Sequence, residues 1–268
     1  KETKAETEET PSDIDADLLA QLEDLGYIKS AKTPHEKKVL LSENEYYLAR
    51  SLADGGKLKE ALEKMEFLEK TFPDIKRYAQ YRASLLLMNG KTDELEKWIS
   101  THETSAFTNY LKGLILLQHS KPLLAAAEFE SINTKADAVV LTNIAHAWFQ
   151  AGAMDSSKKY AEKALVQNAE NTAALNLLGD IFLHDEKWKD ALSVWFRSLD
   201  LLYYQPHVHE KIGRCFYWLE LYEEATKAFE VTLRLIPTKT AVIEQLIGLY
   251  AEHVSNPERL LQLKNLQA

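Results

Sequence analysis

Residues Thr172 to Leu201 read TAALNLLGDIFLHDEKWKDALSVWFRSLDL, the most regular segment of this sequence. Its pattern of small, aromatic and large apolar residues returns 34 residues later, ending at Pro237, and also occurs 34 residues earlier, around Leu141 to Leu165. Self-similarity at a fixed period of this length indicates that one supersecondary unit is repeated along the chain.

Extending the period in both directions predicts six full units and one partial unit. The full units start at about residues 42, 76, 106, 138, 172 and 206, and the partial unit starts at 240. The eighth position is small in every full unit: Ala49, Ala83, Gly113, Ala145, Gly179 and Gly213. The twentieth is small in all but the second, where Leu95 stands: Ala61, Ala125, Ser157, Ala191 and Ala225. Because antiparallel helices approach closely only where a small residue faces the partner, the spacing predicts paired helices.

The pattern resembles the tetratricopeptide repeat and covers residues 42 to 268. The resemblance implies an all-α fold, a right-handed α-solenoid of about six helix pairs with a capping helix at each end. The pattern is strongest in the last three full units. It is weaker in the second and third, where Arg82 and Lys112 occupy a seventh position that is normally apolar and the period is shorter.

The chain divides into three parts by composition. Residues 1–13, KETKAETEETPSD, contain no large apolar residue and are expected to form a disordered acidic linker. Residues 14–34 are expected to form a capping helix and a connector, because leucines recur there at helical spacing. Residues 35–268 are expected to form the solenoid.

Residues that favour helix ends support these boundaries. Three residues suit N-caps of first helices: Asp137, Asn171 and Thr238. Pro206 suits a first helical turn, and Asp155 can cap the second helix of its unit. The last stretch, Pro257 to Ala268, carries four leucines and is expected to close the exposed end of the stack.

Charge and composition argue against several classes of partner. The formal net charge is −9, from 41 acidic and 32 basic residues, so phosphate backbones are repelled on average and nucleic acid binding is not expected. No apolar run approaches the roughly 20 residues that cross a bilayer, so membrane insertion is not expected. The chain begins with Lys1 and no signal-like segment follows, which predicts a processed protein or an excised fragment.

The first helices of such a solenoid line its concave face. Their second, fifth, ninth, twelfth and thirteenth positions point into that groove. The residues that we expect to contact a partner from these positions are Tyr110, Thr142, His146, Phe149, Asn176, Asp180, Glu210, Arg214, Tyr217 and Trp218. Amide side chains can pair with the backbone of an extended peptide while aromatic rings cover its apolar side chains. The sequence therefore predicts a scaffold that binds a protein or peptide, and it leaves open a homodimer. The alternative is that long polar residues only solvate a curved face.

Catalytic signals are weak. His207 and His209 are two residues apart and lie on different faces of the predicted helix, so no metal site is expected. Cys215 lies in a first helix, where a packed thiol is expected, and its being the only cysteine excludes an internal disulfide. The run Asp54-Gly55-Gly56 is expected to end a helix and not to hold a phosphate. The sequence predicts no cofactor, no catalytic residue and no enzyme activity.

A second, shorter resemblance concerns residues 17–28, DLLAQLEDLGYI. Leu25, Gly26 and Tyr27 are similar to the closing residues of bacterial sulfatase and alkaline-phosphatase-superfamily catalytic domains, some of which continue into tetratricopeptide repeats. The resemblance implies an alternative function, an accessory domain of a larger extracytoplasmic hydrolase whose catalytic domain is absent from this chain. The other interpretation is a capping helix that ends at Gly26. The compartment is otherwise undetermined.

Overall fold

The computed structural model describes residues 34–132 and 136–267. These residues form fourteen α-helices and no strand, which confirms the predicted all-α helical repeat fold. The predictions for the linker, the N-terminal capping helix and the resemblance at 17–28 concern residues outside the described ranges.

The helices lie in two compact units of the chain, Lys1–Glu103 and Thr104–Ala268. In the first unit the described helices are α1 (Pro34–Asp54), α2 (Leu58–Thr71), α3 (Lys76–Met88) and α4 (Thr92–Thr101). In the second they are α5 (Ala106–Gln118), α6 (Pro122–Glu130), α7 (Ala138–Gln150), α8 (Met154–Gln167), α9 (Thr172–His184), α10 (Trp188–Leu201), α11 (Pro206–Trp218), α12 (Tyr222–Leu235), α13 (Thr240–Glu252) and α14 (Pro257–Gln267). Odd-numbered helices are the first helices of the repeats, and even-numbered helices are the second.

The predicted unit starts agree with the observed first helices from the second repeat onward. These helices begin at residues 76, 106, 138, 172, 206 and 240. The first repeat differs, because α1 is 21 residues long and already begins at Pro34, so the predicted start at 42 lies inside it. The second and third repeats are short because α4 has 10 residues and α6 has 9, against 14 in α8, α10 and α12.

Size complementarity holds each helix pair together. In three repeats the glycine at the eighth position lies against the aromatic ring sixteen residues later: Gly113 and Phe129, Gly179 and Trp195, Gly213 and Phe229. A Cβ atom on any of these glycines would come within 3.0 Å of the ring. Where the eighth position is alanine, the twenty-fourth position holds a smaller buried side chain: Met65, Ile99 or Ala161. The first helix therefore carries a small residue because the second places a large one directly on it.

The turns between paired helices share one backbone conformation. The residue after the first helix's C-cap has a positive φ in six successive repeats: Gly56, Gly90, Ser120, Gly152, Glu186 and Glu220. The next residue donates its N–H to the carbonyl five positions earlier, as Leu221 does to Phe216 over 2.9 Å. This is the Schellman arrangement that ends an α-helix. The prediction that Asp54-Gly55-Gly56 ends a helix is confirmed.

Three of the predicted helix-end residues are confirmed and two are wrong. Asp137 and Asn171 are N-caps that accept from the N–H groups of Val140 and Ala174, and Pro206 is the first residue of α11. Thr238 is not a cap, because the N-cap of α13 is Lys239. Asp155 is not a cap either, since α8 has already begun at Met154, and it lies in the first turn of that helix.

The irregular seventh position of the second repeat has a partner. The Arg82 guanidinium lies 2.8 Å from the carboxylate of Glu69 in α2 and 3.7 Å from that of Glu66. Glu69 also accepts from the indole N–H of Trp98 at 2.7 Å. The usual apolar contact of the seventh position is therefore replaced here by a hydrogen-bonded ion pair. Glu69 neutralises the positive charge that Arg82 brings to this position.

The predicted partial unit at 240 is a complete helix pair. Leu263 of α14 is fully buried in one apolar cluster with residues of α12 and α13. The Arg259 guanidinium donates two hydrogen bonds to the Glu230 carboxylate in α12, at 2.7 and 2.8 Å. Of the remaining C-terminal leucines, Leu261 and Leu266 are exposed, so α14 covers the end of the stack with one face.

Candidate partner-binding groove

Two acidic residues that the sequence placed in the groove are paired with cations from the next repeat. Asp180 of α9 accepts from the Lys211 ammonium of α11 at 2.6 and 2.7 Å. Glu210 of α11 is paired with Lys239, the N-cap of α13. Both pairs are partly buried. They join successive first helices, and their charges are neutralised within the protein.

Three polar residues of the predicted groove also bond inside the stack. Thr142 is buried and accepts from the Asn171 side chain at 2.9 Å, so it braces the cap of the next helix and does not reach the surface. The Tyr110 hydroxyl accepts from the Asn143 side chain at 3.0 Å. Asn176 donates to the Gln205 side chain at 2.6 Å. These side chains hold neighbouring repeats in register.

His146 and Phe149 of α7 are the next two residues predicted for the groove. Phe149 packs on an apolar cluster that includes Ala145 and Ile181. The side chain of His146 keeps contact with solvent, but desolvation lowers its pKa, and the negative charge of Asp180 only partly opposes that effect. His146 is therefore neutral at physiological pH and can act as a hydrogen-bonding group.

The other three predicted residues come together. Arg214, Tyr217 and Trp218 of α11 line a cleft of about 470 Å³ whose opposite wall is α13. We call it the C-terminal cleft; it is lined by Arg214, Tyr217, Trp218, Phe229, Gln245, Gly248, Leu249, Glu252 and His253. A Cβ atom on Gly248 would have no neighbour within 4 Å, so α13 leaves open space at that point.

The aromatic wall of this cleft is exposed but held in place by other rings. Trp218 is 62% exposed and Tyr217 is 41% exposed. Tyr217 makes edge contacts with Trp218, with Tyr222 and with His253, at centroid distances of 6.1, 5.6 and 6.4 Å. His253 in turn stacks on Tyr222 at 3.8 Å. A ring that is both exposed and positioned by its neighbours is suited to contact a partner with little loss of side-chain entropy.

Sequence reasoning missed the α13 side of the cleft. It assigned groove residues only in the six full units, whereas Gly248 and Glu252 belong to the seventh. The same rule could have found them, because they occupy the ninth and thirteenth positions counted from residue 240. Gln245 and His253 lie outside those positions, and only the packing of α13 beside α11 brings them into the cleft.

The groups considered for catalysis lie apart from one another. Cys215 is fully buried, and desolvation raises the pKa of its thiol to about 11, so the packed thiol predicted from the sequence is confirmed. His209 is buried and its ring nitrogen lies 3.1 Å from the Tyr203 carbonyl oxygen, whereas His207 is exposed. Within the described ranges, no three His, Cys, Asp or Glu residues could hold a metal ion together. None of the described helices is long and apolar enough to cross a membrane.

The repeat geometry is that of a known family. Residues 142–202, from α7 to just beyond α10, match the family model of the tetratricopeptide repeat. This segment carries tetratricopeptide repeats. The helix pairs before and after that segment continue the same eighth and twenty-fourth position packing, as Gly113 with Phe129 and Gly213 with Phe229 show.

Solved structures with the same arrangement of helices include several of MamA. MamA residues 41 to the end from Desulfovibrio magneticus RS-1 aligns with a TM-score of 0.54 and 17% identity, over 60% of this chain and 94% of that one. A MamA D159K mutant aligns with a TM-score of 0.51 and 19% identity over the same shares of the two chains. At this identity the likeness concerns the fold. No curated protein matches the chain in sequence.

Tetratricopeptide repeats support a general role in binding proteins or peptides, and that role agrees with the sequence-based prediction. The resemblance of residues 17–28 to hydrolase domains falls outside the described residues. The accessory-domain function that it implies therefore stays a prediction.

Proposed function

We propose that the protein is a non-catalytic scaffold that binds a segment of a partner protein in the concave groove of its last repeats. The observation that supports this most strongly is the C-terminal cleft between α11 and α13, where two exposed aromatic rings and an exposed arginine converge. The net charge of −9 disfavours nucleic acid as the partner.

Some of the predicted groove residues are bonded to the neighbouring repeat and others are exposed, and this difference favours the C-terminal cleft over the rest of the groove. Asp180, Glu210 and Asn176 are engaged by the neighbouring repeat, so a partner would have to break those contacts to use them. The aromatic rings of Tyr217 and Trp218, by contrast, are 41% and 62% exposed, so a partner can contact them without breaking a contact of the stack. Clustered exposed aromatic side chains are typical of interaction sites and of binding hot spots.

The chemistry of the described residues favours binding over catalysis. The thiol of Cys215 is protonated at neutral pH because burial raises its pKa, and no base is hydrogen-bonded to it in the described ranges. The exposed histidines His146 and His184 belong to successive first helices. The carboxylates that act on them, Asp180 and Asp185, are paired with Lys211 and Lys187. Catalysis would need a nucleophile beside such a histidine, and the thiol of Cys215 is buried.

The proposal is tested by placing a photo-crosslinking residue in the cleft. We expect a crosslinker at Tyr217 to capture a defined partner protein in cells, and mass spectrometry should map the crosslink to one segment of that partner. The matched control carries the crosslinker at Val166, which is 87% exposed on the second helix α8.

Replacing Arg214 and Trp218 together should then weaken the crosslink at Tyr217 without loss of helicity by circular dichroism. Equal capture from Tyr217 and Val166, or capture that the double replacement leaves unchanged, would place the binding site elsewhere.

A further inference from the structure

We propose that the C-terminal cleft recognises a peptide segment in which an Asp or Glu side chain lies next to an aromatic or large aliphatic side chain. The carboxylate binds Arg214, and the apolar side chain enters the space between Trp218 and Gly248. This inference rests on the proposed function and names the chemistry of its partner.

Arg214 is the cation that the fold leaves available. The first helices α7, α9, α11 and α13 contain only two Lys or Arg residues, Lys211 and Arg214. Lys211 is neutralised by Asp180. Arg214 is exposed, and no carboxylate of residues 136–267 forms an ion pair with it. An unpaired guanidinium beside a cleft is suited to a carboxylate, which it can bind through two parallel hydrogen bonds.

The space beside Arg214 fits an apolar side chain. The cleft volume of about 470 Å³ lies within the range of roughly 300 to 1,000 Å³ that is common for ligand sites. Its walls include the rings of Tyr217 and Trp218 and the side chain of Leu249. The cleft is open at Gly248, because a Cβ atom there would have no atom within 4 Å apart from the backbone of its own helix and its chain neighbours.

Glu252 restricts the orientation of the segment. It also lines the cleft, its side chain is 73% exposed, and it lies 3.8 Å from the ring of His253. A ligand carboxylate is repelled by Glu252 and attracted by Arg214, so it is expected to lie at the α11 side of the cleft. A polyphosphate is a poorer fit, since it needs several cations and the cleft supplies one unpaired arginine.

The test uses a phage-displayed library of random twelve-residue peptides, panned against the whole chain and against three single variants. The variants are Arg214→Gln, Arg214→Glu and Gly248→Leu. Lys227→Gln, which removes an exposed cation from the second helix α12, is the matched control. Circular dichroism and melting temperature should show that each variant retains the fold, because Arg214 is exposed and Gly248 faces open space.

The unchanged chain should enrich peptides that contain Asp or Glu beside Phe, Trp, Tyr, Leu or Ile. Arg214→Gln should weaken their binding about tenfold or more in fluorescence anisotropy, since a hydrogen bond to a charged group contributes that much. Lys227→Gln should leave it unchanged. Panning against Arg214→Glu should select Lys or Arg at the acidic position.

The outcomes separate this inference from the proposed function. Peptides that lose binding to Gly248→Leu but show no acidic preference, or that bind Arg214→Gln undiminished, overturn the carboxylate inference and leave the groove as the binding site. Peptides that bind all the variants equally overturn both. A library that yields no enriched peptide also counts against both.

Discussion

Replacing Gly179 by Ala tests the packing on which the whole stack depends. A Cβ atom at this position would lie 2.5 Å from Cε2 and 2.6 Å from Cδ1 of the Trp195 ring, and closer still to Nε1. Ordinary contacts begin at about 3.4 Å, so the ring would have to move by roughly 1 Å. Trp195 is fully buried and its indole N–H donates to the Asn176 carbonyl at 3.2 Å, so that movement disturbs both packing and a hydrogen bond.

The expected magnitude follows from three contributions. Overpacking a buried site costs about 1 to 3 kcal/mol. Weakening the indole hydrogen bond costs about 1 kcal/mol more. Alanine in place of glycine inside a helix stabilises by about 1 kcal/mol. We therefore expect Gly179→Ala to lower the free energy of unfolding by about 2 kcal/mol.

Gly248→Ala is the matched control, because Gly248 is also a helical glycine but has open space around it. It should gain up to about 1 kcal/mol from helix propensity alone. Urea unfolding followed by circular dichroism measures both variants. In a Trp195→Met background, which reproduces the Ala49 and Met65 combination of the first repeat, the penalty of Gly179→Ala should largely disappear. If Gly179→Ala were as stable as Gly248→Ala, the glycine would not be required by the ring and the packing argument would be wrong.

Three further predictions concern other parts of the stack. Trp195→Ala should cost about 3 to 5 kcal/mol because it leaves a cavity at a fully buried site, and an unchanged melting temperature would contradict the register. Glu220→Gly should raise the stability by about 1 kcal/mol, since Glu220 holds φ near 60° in a turn where other repeats use glycine; a loss in urea unfolding would show that its side chain matters more. Burial alone would raise the pKa of Glu230, but the hydrogen bonds and charge of Arg259 outweigh it and lower the pKa. The stabilisation from that pair should therefore be complete above the ordinary value of 4.5 and be lost as the pH falls below it, and Arg259→Met should flatten this pH dependence.

The sequence predicted the repeat architecture because the information that specifies it is periodic and local. The first helices begin at the predicted residues from 76 onward, and the eighth-position residues lie where the paired helices touch. Departures from the pattern were also visible in the sequence, as at Arg82. The ion pair that accommodates Arg82 was not, because its partner Glu69 lies thirteen residues away on another helix.

The candidate site was only partly predictable. Position within the repeat indicates which face of a helix a side chain occupies. On that basis Arg214, Tyr217 and Trp218 were predicted to share one face, and they line one cleft. Position does not indicate whether a residue about 30 positions later will pair with that side chain. Lys211 pairs with Asp180 in this way, and Lys239 pairs with Glu210.

The helix pairs, their order and the small residues at their contacts could be predicted from the sequence, since each depends on neighbours within one repeat. Which of the predicted groove residues remain exposed could not, because that depends on how one repeat packs against the next. The cleft shows this most clearly: it exists because α13 brings Gly248 beside the aromatic side chains of α11 and leaves the space between them unfilled.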